Sequence, residues 1–329
     1  MNASITRRTL IGGAAATILG GPLAARAQTY PSKLITMLNA FPAGGQADLA
    51  ARTILPALQA QLGQTVIVEN VAGVGGALGA QKLLSATPDG HTVLFGTPQE
   101  LVQAPMAMVV AKYKPEDFRM VGLVVSTYLM LLVRPGLAAN SVSELVALAK
   151  TSDRELSYGS NGRGSAYHLV AERFMKNTGV KLLHVPYKGA AQLLPDLVGG
   201  QIDMTFIALG GPIPGMIQKG QLKALAITAP QRHASFPNVP TMNETKLVSD
   251  FVFDLWGAVM VHKSTPDAVV VRLNTALNEV MQAPSTRRDL LASGLLPAGP
   301  MTPAEASQFY RNEIARYQAI GKTIDLQPE

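Results

Sequence analysis

Short apolar runs and helical patterns alternate along the chain after residue 30. Runs with strand character fall at residues 34–38, 65–68, 92–95, 156–158, 181–185, 202–206 and 222–228. Between them apolar positions recur at helical spacing, as at Leu49, Leu58 and Leu62. This alternation predicts an α/β fold with mostly parallel sheets. Ser141 with Glu144, and Thr302 with Glu305, have capping-box spacing; Pro303 then stands at the first helical position. Pro56 falls inside the first helical pattern and is expected to kink or shorten that helix. Residues 120–133 and 251–261 break the alternation, since each apolar run is longer than a usual strand. As paired crossovers they join two lobes, 28–125 plus 250–329 and 126–249, around a hinged cleft. The alternative is two long strands within one sheet.

Two strand-to-helix junctions carry the candidate chemistry. The first, Phe41-Pro42-Ala43-Gly44-Gly45-Gln46-Ala47-Asp48, follows the run at 34–38. A glycine turn that opens straight into a helix points backbone N–H groups and a helix dipole at one spot, which suits an anion. Gly44 and Gly45 permit close backbone approach. Asp48 falls in the first helical turn, where it contacts the ligand or holds the turn. The second lobe repeats the arrangement at Tyr158-Gly159-Ser160-Asn161-Gly162-Arg163-Gly164-Ser165. Arg163 has the donor set to grip a carboxylate, or it is a solvated loop arginine. His168 one turn on is either a ligand contact or a hydrogen-bonded structural histidine. Tyr187-Lys188-Gly189 opens a further helix, and Gly96-Thr97-Pro98-Gln99 ends a first-lobe strand at its carboxyl edge.

Other motifs weaken on inspection. Gly73-Val74-Gly75-Gly76-Ala77-Leu78-Gly79 resembles a dinucleotide fingerprint, but Leu78 occupies the third glycine position. Tyr158 stands where a nucleophile elbow needs glycine. There is no cysteine, and the five histidines lack metal-ligand spacing, so no cofactor or metal is expected.

Residues 1–27 have the form of an export signal, with Arg7-Arg8, a weakly apolar glycine-rich stretch, and a small-x-small site at Ala25-Arg26-Ala27 before Gln28. Thr6-Arg7-Arg8-Thr9-Leu10-Ile11 fits the twin-arginine type; a Sec signal with an incidental arginine pair is the alternative. The chain is therefore expected in the periplasm, with no membrane insertion. Removing Arg7, Arg8 and Arg26 leaves 25 basic and 22 acidic residues, a net charge of +3 rather than +6. No basic stripe remains, which argues against nucleic acid as a partner.

The segments YPSKLITMLNAFPAGGQAD, LGQTVIVENVAGVGGALGAQ, PDGHTVLFGT, HVPYKG, LVGGQIDM, GQLKALAIT and PNVPTMNE occur in that order. Together they resemble the extracytoplasmic solute receptors of tripartite tricarboxylate transporters, the Bug-type family, over nearly the whole chain. The resemblance implies a two-lobed, type II-like periplasmic binding fold. It also implies a monomeric, non-catalytic receptor that passes a small organic acid to a permease of large and small subunits. By resemblance the carboxylate is bound through backbone amides and bridging waters at Phe41, Ala43, Gly44, Gly45 and Asp48. Ser160, Gly162, Gly164, Ser165, His168 and Tyr187 provide the second side, and residues 73–79 become a structural hallmark.

The chain departs from the family pattern in four places: Ser165-Ala166 before the helix histidine, Arg163, Pro98-Gln99 after Thr97, and Ile207-Ala208 where an acid or amide is common. The last implies a more apolar wall. The expected ligand is thus a carboxylate with an apolar or aromatic body, with Arg163 or Lys188 pairing any second anionic group. Two other functions are weighed against this one. An orphan receptor would present its ligand to a signalling partner, and an exported dinucleotide-dependent oxidoreductase would use residues 73–79.

Overall fold

The computed structural model describes residues 30–187 and 189–323. The expected leader, its cleavage site and Lys188 lie outside them. In chain order come β1 (Ile35–Asn39), α1 (Gln46–Leu62), β2 (Val66–Asn70), α2 (Ala77–Ser85), β3 (Thr92–Gly96) and the short α3 (Ala104–Ala107). The long β4 (Phe118–Val133) leads to α4 (Val142–Thr151), β5 (Leu156–Ser160), α5 (Ala166–Thr178) and β6 (Leu182–Pro186). Then follow α6 (Ala190–Val198), β7 (Met204–Ala208), α7 (Ile213–Gln218) and β8 (Lys223–Ile227). The chain returns through β9 (Asp254–His262) to α8 (Asp267–Gln282), α9 (Pro284–Ala292), the two-residue β10 (Leu296–Pro297) and α10 (Pro303–Thr323).

Each lobe has its own parallel core of three strands. In the first, β1 lies between β2 and β3. In the second, β5 lies between β6 and β7. Antiparallel pairing enters only with the crossovers and the two strands that join them, β8 and β10. The first part of β4 pairs with β9, ending at Tyr128 opposite Asp254. From Leu129 the same strand pairs with β7 and, from Met130, with β8 in the second lobe. The second crossover precedes β9, where Phe253 N–H donates to Thr228 O and the Thr228 hydroxyl donates to Phe253 O.

Beyond shifts of a residue or two at strand ends, three differences from the sequence expectation have a tertiary reason. The strand expected at 202–206 runs from Met204 to Ala208. Asp203 turns inward and accepts from Arg134, both Arg154 nitrogens and Ser157 N–H at 2.7–2.9 Å. Strand β9 begins at Asp254, because residues 251–253 bond to Thr228 and Asn243 instead of to a ladder partner. Helix α1 continues through Pro56 over 17 residues and is not shortened there. Its buried face, Ile54, Leu58 and Leu62, packs with Leu273, Leu277 and Leu290 on both sides of the proline, and this burial offsets the one missing N–H.

Helix α10 fastens the second crossover. Tyr317 is fully buried edge-on against Phe253, Arg316 bonds to Asp254 at 2.7 Å, and Trp256 Nε1–H donates to Glu313 at 2.8 Å. The Thr302–Glu305 capping box starts this helix: Glu305 N–H donates to the Thr302 hydroxyl, and Thr302 N–H to the Glu305 carboxylate.

Candidate functional site

Strand β1 ends at Asn39, and the chain turns through Phe41–Gly45 into α1. Gly44 has φ +84°, in the region where only glycine is unstrained. Asp48 is 3 % exposed and points back into this turn. It accepts from Gly44 N–H, Arg52 Nε and Asn70 Nδ2, each at 2.9 Å. Burial alone would raise its pKa, but those hydrogen bonds outweigh burial and hold the carboxyl at about 2. Asp48 is thus fully engaged as the anchor of the turn and does not line the cavity.

The second-lobe loop is braced in a similar way. Ser160 Oγ lies 2.7 Å from Nε2 of His184 and accepts from Gly162 N–H at 3.1 Å. His168 accepts Gly164 N–H on Nδ1 at 3.0 Å, and the Ser165 hydroxyl caps α5. Tyr158, His184 and His168 stack in a column, with ring centroids 4.9 and 4.5 Å apart. Burial, reinforced by His168, pushes His184 down to about 4, so that imidazole is neutral at physiological pH. Gly162 and Gly164 hold φ of +101° and +75°. Tyr187 donates its hydroxyl to Asp196 at 2.7 Å and its N–H to Ser160 O.

Between the lobes lies a cavity of about 700 Å³. Phe41, Ala43, Gly44, Gly45 and Thr97 line it from the first lobe, and Ser165 from the second. Asp48, Ser160, Gly162, Gly164, His168 and Tyr187 do not line it; their hydrogen bonds brace the loops that do. Arg163 is exposed on its loop and does not line the cavity.

The lining also includes Gln46 and Asn161 of the two junctions, and, outside the expected site, Gln103, Tyr167, Ala190, Ala191 and Trp256, the chain's single tryptophan. Among the described lining residues none is charged. Phe41, Phe95, Leu194, Ile207 and Trp256 make most of the wall apolar. Four helices begin here, α1, α5, α6 and the short α7. The first-turn amides of α1 and α6 have no side-chain cap, since their N-cap residues are Gly45 and Gly189. Each such terminus favours an anion by roughly 0.3–1 kcal/mol, and more where water is excluded.

Thr97 is held from behind by Glu100, which is fully buried. Glu100 Oε1 accepts Thr97 N–H and Oε2 accepts the Thr97 hydroxyl, both at 2.5 Å. Burial raises Glu100 to about 7, against the pull of the Thr97 hydrogen bonds. The glycine-rich segment 73–79 has a packing role. A Cβ on Gly79 would sit 2.8 Å from Ala40 Cα, and one on Gly76 would sit 2.7 Å from Glu100 Cβ. These glycines let α2 press against the end of β1, and none of them lines the cavity.

This fold and this cleft are shared with known proteins. Residues 50–326 match the family model described as tripartite tricarboxylate transporter family receptor. Protein BugT of Bordetella pertussis is 34 % identical over 296 residues, covering 89 % of this chain and 90 % of BugT. A protein encoded in the tcbD-tcbE intergenic region of Pseudomonas sp. strain P51 is 32 % identical over 314 residues, covering 95 % and 93 %. Among solved structures, R. palustris Rpa4515 with adipate superposes with a TM-score of 0.81 at 30 % identity, over 91 % of this chain and all of that one. MatC from Rhodopseudomonas palustris with bound malate gives 0.77 at 28 %, over 88 % and 99 %. The chain belongs to the receptor family of the tripartite tricarboxylate transporters, whose relatives include the Bug proteins. One of them, BugD, is a periplasmic binding protein, and among the described residues here no helix is long and apolar enough to cross a membrane.

Proposed function

We propose that this protein is a non-catalytic, monomeric periplasmic receptor. It captures a small carboxylate with an apolar or aromatic body and hands it to a permease of large and small subunits. The observation that carries this reading is the pair of uncapped helix starts, α1 from one lobe and α6 from the other, at one largely apolar cavity. A carboxylate there exchanges water for several charge-assisted backbone hydrogen bonds, supplied by both lobes at once. The adipate and malate held by similar structures are in keeping with that chemistry.

The described lining offers no carboxyl, imidazole or amine to move a proton, and the segment 73–79 supports packing over dinucleotide binding. We take the lobes as 28–125 plus 250–329 and 126–249, hinged where β4 changes partners at Tyr128 and Leu129. The first-lobe contacts are then the backbone of Phe41–Gly45 and Thr97, with Ser165 opposite. Asp48, Ser160, Gly162, Gly164 and His168 hold those contacts in place. Trp256 fluorescence and thermal shift against aliphatic and aromatic monocarboxylates, dicarboxylates and free amino acids test this reading. A saturable response to an apolar or aromatic acid is expected. Stabilisation by amino acids alone, or by no acid, would reject it.

A further inference from the structure

Gln103 ends the π-helical turn Gln99–Gln103, directly before α3. Its side chain is buried, with only 2 % of the residue exposed, and the residue lines the cavity. Neither Oε1 nor Nε2 has a hydrogen-bond partner among the described residues. Across the cleft, Asn161 also lines the cavity, and its buried Oδ1 is likewise without a partner. Buried amide groups are nearly always paired, because an unpaired one forfeits its hydration for nothing. Three hydroxyls at the wall are already engaged: Thr97 with Glu100, Tyr167 with Ala208 N–H, and Ser165 with the start of α5.

We infer that Gln103, with Asn161 opposite, recognises an uncharged hydroxyl on the body of the bound acid, so that the preferred ligand is a hydroxy acid. This deepens the carboxylate-receptor reading and rests on it. A carboxamide presents one donor group and one acceptor, and a hydroxyl returns one of each. The helix starts deal with the negative end of the ligand, which leaves the amides for a second, neutral group. An ammonium suits two amide oxygens less well. Once desolvated it needs a counter-charge, and among the described lining residues there is none. Sites built to bond a hydroxyl discriminate strongly against the analogue that lacks it, because their own polar groups are then left unpaired.

The test compares matched acids on wild type, Gln103→Leu and Gln103→Met by calorimetric titration. The pairs are benzoate with 3- and 4-hydroxybenzoate, and hexanoate with 6-hydroxyhexanoate. At least one hydroxylated acid is expected to bind wild type about tenfold or more tightly than its parent. In both variants that ratio should fall toward one, with the parent acid bound as well as before or better. The Met variant preserves length and volume, so it carries the comparison if the Leu variant does not fold. A ratio that survives both substitutions, or a wild type that binds every parent acid as tightly as its hydroxylated partner, overturns the assignment of Gln103 and leaves the carboxylate reading intact. If wild type binds no acid of either kind, the carboxylate reading falls and this inference falls with it.

Discussion

Replacing Asp48 by Asn separates anchoring the turn from touching the ligand. The asparagine stands in for a protonated carboxyl. It keeps the shape but loses the charge that Gly44 N–H, Arg52 and Asn70 surround. The gap between the ordinary value of 3.8 and the folded value of about 2 corresponds to about 2.5 kcal/mol at neutral pH. A folded-state carboxyl that titrates below its unfolded counterpart contributes fully above the unfolded value, and that contribution is lost as pH falls through the folded one. The wild-type advantage is therefore expected to be about 2.5 kcal/mol at pH 7 and about half that at pH 3. Urea unfolding followed by circular dichroism at both pH values, with a common slope, measures it. An equal loss at the two pH values, or a loss under about 0.5 kcal/mol at pH 7, refutes the anchoring argument. So does a variant of unchanged stability whose ligand affinity has collapsed, since Asp48 would then act on the ligand itself.

Three further outcomes are expected. A Cβ at Gly210 would stand 2.4 Å from Gln46 Nε2 across the cleft, and Gly294 of the first lobe also lies against Gly210. Gly210→Ala should therefore weaken ligand binding while leaving the ligand-free melting temperature unchanged, and adding Gln46→Ala should restore affinity; a drop in ligand-free stability speaks against a contact of closure. Glu100 keeps its proton to about pH 7 when folded and to 4.5 when unfolded, so its share of stability is greatest at low pH and declines as pH rises between those values. Glu100→Gln should flatten the melting temperature profile over that range, leaving the part due to Glu313, which burial also raises to about 7; an unchanged slope contradicts the assignment. Gly79→Ala forces a methyl group against backbone at Ala40 and should cost roughly 1–3 kcal/mol in urea unfolding, with no dinucleotide-induced melting shift in either protein.

What was legible in the sequence was local. Gly44, Gly162 and Gly164 advertise turns because only glycine takes their backbone angles without strain, and both loops stand where strand-to-helix junctions were expected. The first overlong apolar run betrayed the crossover in β4, because a strand serving two sheets needs neighbours along its whole length. What escaped depends on pairing across the fold. Nothing near Asp48 in the sequence announces Asn70, and nothing near Ser160 announces His184. Gln103 and Asn161 look like ordinary polar residues until burial removes their water. Trp256 left a trace, since a tryptophan within a long apolar run faces the cleft or the core. Arg163 was legible as a loop cation, but the loop's course holds it away from the cavity wall.

The fastening of α10 onto the second crossover makes the cavity depend on a helix that stands outside it. Trp256, part of the cavity wall, donates its indole N–H to Glu313, and Asp254 nearby accepts from Arg316. None of the described α10 residues lines the cavity, yet their hold on Trp256 and Asp254 fixes one side of its wall. A receptor from which α10 has been removed keeps its loops and helix starts but loses that buttress, so it should capture its ligand more weakly than one altered elsewhere on the surface.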